Sequence, residues 1–335
     1  MSFFNANPNC SRDNNFDLLR LILAVLVFMA HWNALTSQNI SSIWFNLGGI
    51  AVDMFFVVSG FLIFWSFDLD GNIKRFYIKR FFRVFPLYAI VILLQTIFFL
   101  FFSNGSFYDS ICYFISNLFF LNFLYPTVGD VFSTLNVDAI NGSLWTLKNE
   151  VAFYVIVPAI YFFHKKMKLT PLIFLYLLSF IYVCSVKQLG LEQLIVLFPG
   201  QLRLFIIGVL LYHLFSRFNQ KNITIMLFVS VVVVVLDFDY FIVDFLLYPF
   251  CIGIIVLYVV FFLKPINVGF DFSYSLYILH FPVIQIFIYF SFDHYVPWLS
   301  FVSLFSLVLV LSYFSERFIE KRFVKLGRDM IKTRK

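Results

Sequence analysis

The chain has 335 residues, of which 62% are hydrophobic and only 13% charged. A soluble domain carries about 25% charged residues, so a water-soluble globular protein is excluded and a polytopic membrane protein is implied. The net charge of +6 belongs to the loops that orient such a protein, and nucleic acid is not among the partners it implies.

Apolar windows predict ten spans, at 16–35, 47–66, 84–103, 143–163, 170–186, 198–215, 223–240, 244–263, 271–291 and 298–315. The run 111–125 is apolar but shorter, and charge decides how to read it. With a cytoplasmic N-terminus and no crossing at 111–125, every basic residue but Lys148, Lys187 and Arg203 falls on the cytoplasmic side. Asp109, Asp130, Asp138, Glu192, Asp237, Asp239, Asp244 and Asp293 then fall outside. A crossing there would place 165-KKMK-168 and the basic tail outside, against the positive-inside rule. The predicted fold is therefore an all-α polytopic membrane protein of about ten helices with both termini cytoplasmic. Residues 104–142 form an outer excursion whose segment 111–125 is re-entrant or interfacial. Residues 1–335 make one membrane domain, and 316–335 are a basic cytoplasmic tail that contacts lipid headgroups.

The first span, FDLLRLILAVLVFMAHWNAL, is too long for a cleavable signal and has no small-x-small cleavage site. It holds Arg20 and His31, eleven residues apart, hence on one helix face and roughly 16 Å apart along the axis. Polar groups inside a span are costly unless they face a cavity or a partner. Snorkelling to the two interfaces is the competing reading. In the second span, Gly48, Gly49, Ser59 and Gly60 are small enough for close helix approach. Asp53 needs a buried partner there.

The segment 67–86 reads as a cytoplasmic loop ending in IKRFFRVFP, with Pro86 entering the third span. Arg80 and Arg83 share a face, and guanidinium forks suit phosphate oxygens; a positive-inside anchor is the alternative. The fourth span opens SLWTLKNEVAFYVIVP. Its Glu150 lies at a depth similar to that of His31. A carboxylate and an imidazole at matching depth can share a proton, as general base catalysis requires, or form a structural ion pair.

Lys148 sits on another face and snorkels outward. Arg203 in the sixth span holds an anionic or sugar group, or neutralises Glu150 or Asp53. In the ninth span, SYSLYILHFP places Tyr277 one turn before His280, and a lone histidine there reads as a packed, hydrogen-bonded group. His164, His213 and His294 look interfacial. Cys10, Cys112, Cys184 and Cys251 have no metal-ligand spacing and read as packing residues, so no metal is expected. There is no internal repeat or inverted half-to-half symmetry, which weakens a secondary transporter or glycan flippase, the alternative function.

Five of these stretches, in order, resemble the acyltransferase-3 family of integral-membrane acyltransferases. They are Arg20…His31, then Phe55-Phe56-Val57-Val58-Ser59-Gly60-Phe61, then Arg80-x-x-Arg83-x-x-Pro86. Ser143-Leu144-Trp145-Thr146-Leu147-x-x-Glu150-x-x-Phe153-Tyr154 and Ser273-Tyr274-x-x-Tyr277-x-x-His280-x-Pro282 complete the set. Thr146 stands where Ser is common. The resemblance implies a bacterial inner-membrane enzyme, in a stand-alone form without a fused SGNH-type esterase domain. Such an enzyme passes an acetyl or other short acyl group from cytoplasmic acyl-CoA (acetyl-CoA) to a hydroxyl of an extracytoplasmic or lipid-linked glycan. It implies His31 as general base or transient acyl carrier, and Glu150 to orient or ionise it. Arg80 and Arg83 would hold the CoA phosphates, and Arg20 would line the thioester path or touch those phosphates. Asp53, Trp145, Arg203, Tyr277 and His280 would support the site or the substrate. The partners are the bilayer, acyl-CoA, the glycan acceptor and, where the pathway uses one, a separate periplasmic acyltransferase.

Overall fold

The computed structural model describes residues 14–36, 38, 40, 42–236, 240, 242–292 and 297–332, with the backbone alone at 297. Cys10, Arg12, Asp237, Asp239, Asp293, His294, Arg334 and Lys335 lie outside these residues. Every regular element described is helical. In hydrocarbon a spanning backbone must satisfy its own N–H and C=O groups, and a long apolar helix does so within one segment.

The helices are α1 (Phe16–Leu35), α2 (Gly48–Asp68), α3 (Ile73–Phe102), α4 (Phe107–Leu118), α5 (Leu144–Met167) and α6 (Thr170–Gln188). They continue with α7 (Phe198–Leu214), α8 (Gln220–Leu236), α9 (Tyr248–Phe261), α10 (Ser273–Tyr289), α11 (Pro297–Ser315) and α12 (Lys321–Lys332). Among the described residues eight helical stretches are long and apolar enough to cross a membrane, and α8 and α10 are shorter apolar helices. These ten coincide with the ten predicted spans.

Two boundaries differ from expectation. The stretch expected as a loop up to Pro86 is helical from Ile73, so Arg80, Arg83 and Pro86 all lie inside α3. Nothing between Ile73 and Phe85 breaks a helix, and a proline removes one backbone bond, a loss that membrane helices tolerate. The tail is not an extended appendage. A π-helical turn, Glu316–Glu320, links α11 to α12, and both glutamates of that turn are buried.

The segment between α3 and α5 contains only α4, whose twelve residues span about 18 Å, short of the roughly 30 Å of hydrocarbon. A capping box starts it: Ser106 Oγ accepts from the Asp109 N–H (3.1 Å), and Asp109 Oδ2 accepts from the Ser106 N–H (2.9 Å). It ends at Phe120, at φ 62°, where the Leu121 N–H returns to the Ser116 carbonyl. Phe120 stacks on Tyr88 of α3 with ring centroids 4.4 Å apart, and the Tyr88 hydroxyl donates to the Asn117 carbonyl. Those contacts hold a bulky residue in a left-handed conformation it would otherwise avoid.

The chain forms two compact units. One comprises Met1–Arg20, Ile50–Ile73 and Asn149–Gly269; the other comprises Leu21–Gly49, Lys74–Lys148 and Phe270–Lys335. In the first, α7 is the central helix, buried continuously from Gly200 to Tyr212. It runs parallel to α2: Phe56 meets Phe205, and Phe61 meets Tyr212 further along both helices. Lipid tails are as apolar as leucine, so helices in a membrane are held by close packing instead of by water exclusion. Glycines make that packing possible here. A Cβ on Gly60 would lie 2.1 Å from the Phe205 carbonyl oxygen, and one on Gly208 would lie 2.1 Å from the Val57 carbonyl oxygen. Gly60→Ala must therefore push two backbones apart. We expect a loss of about 1–3 kcal/mol, read as a lower thermal unfolding midpoint in detergent; an unchanged midpoint would show the crossing to be loose.

Candidate active site

In the second unit the central helix is α10, buried along most of its length. Three of its polar side chains recur at intervals of three, at 274, 277 and 280, so they form one ridge. Each reaches a different element. The Tyr274 hydroxyl donates to the Val84 carbonyl of α3 at 2.8 Å. Tyr277 and Thr146 share a hydroxyl–hydroxyl bond of 2.8 Å. His280 Nε2 lies 2.8 Å from His31 Nδ1 on α1. Pro282 adds a further tie. It has no N–H for the carbonyl of Ile278 four residues back, and Asn141 Nδ2 supplies the missing donor at 3.1 Å. Gln285 Nε2 donates to the carbonyls of Val137 and Ala139, 2.7 Å each, fastening the outer excursion to the same helix.

His31 is half-buried and His280 is fully buried. Their rings stack at 5.0 Å, and Phe281 presents an edge to His31 at 5.0 Å. His280 Nδ1 lies 3.1 Å from the Leu276 carbonyl one turn earlier. The histidine expected to be packed and hydrogen-bonded is both, and its partner is the other intramembrane histidine. The ring of His31 is held on one side by His280 and Phe281 while the residue is only half-buried, and an imidazole so placed can exchange a proton. Trp145 is half-buried and adjoins Thr146 at the start of α5.

Arg83 is braced between two carboxylates. Asp271 Oδ2 takes its Nη2 at 2.7 Å, and Glu320 Oε2 lies 3.3 Å from its Nη1. The Ser275 hydroxyl donates to the buried Glu320 as well. Asp271 also receives the Ser273 hydroxyl at 2.6 Å. Arg80, three residues earlier on α3, lies over the Phe76 ring at 5.5 Å. Asp271 and Glu320 were not foreseen. The sequence marks Glu320 only as one of three acidic residues, with Glu316 and Asp329, in a segment counted as basic.

The first unit contains Arg20, Asp53, Glu150 and Arg203. Arg20 is half-buried on α1. Glu150 accepts the hydroxyl of Tyr154, one turn along α5. Asp53 accepts the hydroxyl of Tyr248 at 2.9 Å, both residues being half-buried. Arg203, 6% exposed, donates to the Gly200 carbonyl at 3.0 Å and lies over Phe245 at 5.4 Å. His164 of α5 and His213 of α7 are neighbours in the first unit. They stack on each other with centroids 4.0 Å apart, beside Phe64. In the second unit Lys148 is held over Phe123 at 5.0 Å. Among the described residues no three His, Cys, Asp or Glu side chains gather as metal ligands.

A family described as an acyltransferase domain matches residues 13–317. Over 339 residues the chain is 30% identical to an O-acetyl transferase of Shigella phage Sf6, covering 93% of this chain and 96% of that relative. It is 29% identical over 154 residues to peptidoglycan O-acetyltransferase OatA of Listeria monocytogenes, 43% of this chain and 23% of that protein. Nodulation protein 10 of Rhizobium leguminosarum bv. viciae is 29% identical over 43% of each chain. No solved structure matches.

Proposed function

The chain belongs to the acyltransferase domain family, and from that premise we propose that it transfers an acetyl or other short acyl group from cytoplasmic acyl-CoA to a glycan hydroxyl outside. The observation that carries this reading is His31, half-buried and held by His280 at 2.8 Å. In the proposed step His31 takes the proton of the acceptor hydroxyl as its oxygen attacks the thioester carbonyl carbon. The C–O bond forms, the C–S bond breaks, and the departing CoA thiolate recovers the proton from the imidazolium. Atoms and charge balance without a further reactant.

The acyl-CoA end of the proposal rests on α3. With the N-terminus cytoplasmic, Arg80 and Arg83 stand at the inner mouth, and planar guanidinium forks suit the nucleotide phosphates. Asp271 and Glu320 hold Arg83 in one orientation, which lowers the cost of ordering it when an anion arrives. Glu150 stays in the proposal as an essential carboxylate, and Trp145, Tyr277, Asp53 and Arg203 as supporting groups. The likeness to a peptidoglycan O-acetyltransferase favours a polysaccharide acceptor, and the proposal places the enzyme in the bacterial inner membrane.

The test is transfer or hydrolysis of radiolabelled acetyl-CoA by the purified chain in nanodiscs. Release of CoA and label together, slowed in Glu150→Gln, is the expected result. A folded preparation that binds no acyl-CoA would overturn the proposal in favour of transport.

A further inference from the structure

The ring nitrogens of His31 and His280 form a chain with a direction. A neutral imidazole has one N–H and one lone pair. His280 Nδ1 faces the Leu276 carbonyl at 3.1 Å, and a carbonyl oxygen only accepts, so Nδ1 must carry the proton. The reverse assignment would set two acceptors against each other in a fully buried place, which is costly. His280 Nε2 is then the lone pair. It lies 2.8 Å from His31 Nδ1, so that nitrogen donates. The lone pair of His31 is thereby confined to Nε2.

We propose that His280 is a positioning residue that locks His31 in the Nδ1–H tautomer, so that Nε2 is the atom which receives the acceptor's proton. The inference rests on His31 serving as general base and names the means by which it is made ready. The Leu276 carbonyl starts the relay, His280 transmits it through its two nitrogens, and His31 presents the result. When Nε2 takes a proton, Nδ1 keeps its own and goes on donating to His280. That bond strengthens as its donor becomes charged.

The geometry explains why a buried histidine occupies position 280 when an apolar side chain would be easier to bury. Only a group with a donor on the Leu276 side and an acceptor on the His31 side completes the relay. It also makes a discriminating variant available. Glutamine can turn its amide oxygen to a neighbouring N–H and accept there, so it retains the acceptor that alanine lacks.

The test is 15N-histidine NMR of the full chain in nanodiscs at pH 8, where free imidazole, of pKa about 6.5, is neutral. The His31 signals are assigned by their absence in His31→Asn. Wild type should show His31 protonated at Nδ1 alone. His280→Ala should give a mixture of tautomers, and His280→Gln should restore the Nδ1–H form. In parallel, His280→Ala should lower kcat about 10–100-fold with KM for acetyl-CoA unchanged, and His280→Gln should recover most of it. A wild-type His31 protonated at Nε2, or a tautomer unmoved in His280→Ala, would overturn the inference. The spectrum needs no turnover, so absence of acyl-CoA activity would remove the parent reading while the tautomer was still decided.

Discussion

His31→Ala is expected to lower acyl transfer by about 10²–10⁴-fold, the range a positioned general base supplies, with acetyl-CoA binding retained. Alanine also leaves the buried Nε2 of His280 without its donor, which would cost about 1–3 kcal/mol and confuse chemistry with stability. His31→Asn separates the two. Its amide N–H reaches the position of Nδ1 and donates to His280, while nothing stands where Nε2 stood. The asparagine variant should therefore melt close to wild type and be as inactive as the alanine variant. The measurements are kcat with radiolabelled acetyl-CoA, the dissociation constant for acetyl-CoA, and the thermal midpoint. Full turnover in His31→Asn would exclude His31 as the base.

Arg83→Ala is expected to cost about 3–5 kcal/mol of stability, because it takes a cationic partner away from a buried carboxylate. The side chain of Glu320 is 1% exposed and pairs with Arg83 at 3.3 Å. Losing acyl-CoA binding in that variant would prove little, since the fold would be damaged as well. The pair Arg83→Met with Glu320→Gln removes both charges at similar volume and leaves the Ser275 hydroxyl a neutral partner. It should recover most of the lost stability and still bind acetyl-CoA poorly. Thermal midpoints in detergent and acetyl-CoA titration check this. A double variant that melts no higher than Arg83→Ala would mean the ion cluster does not hold the fold. One that binds acetyl-CoA as wild type does would remove Arg83 from the donor site.

Why was so much of this chain readable in advance, and some of it not? Each spanning segment must be apolar over its own length, and the basic loops must face one way, so both properties are local. The ten helices and the non-crossing stretch around α4 follow from hydropathy and charge. The presence of Arg20, His31, Asp53, Glu150 and His280 inside spans is equally visible, because a polar residue among twenty apolar ones stands out. Close approach at Gly60 could be guessed from size alone.

Partnership could not be read this way. In a bilayer a helix is apolar on every side, so periodicity does not say which face turns inward, and a histidine at 280 reads the same whether it packs alone or meets His31. The contact joins residues 249 positions apart, and no local rule links them. The same holds for Arg83 and Glu320, where a tail judged by its net charge hid a carboxylate that folds back on α3. Pro86 suits the first turn of a helix, yet α3 runs through it from Ile73, because a spanning helix tolerates the one backbone bond a proline removes. Composition and charge order determined that this is a membrane protein of about ten helices with polar groups in its spans. Only the tertiary structure decided which of those groups touch, because burial without water favours polar pairs that the chain brings together from distant positions.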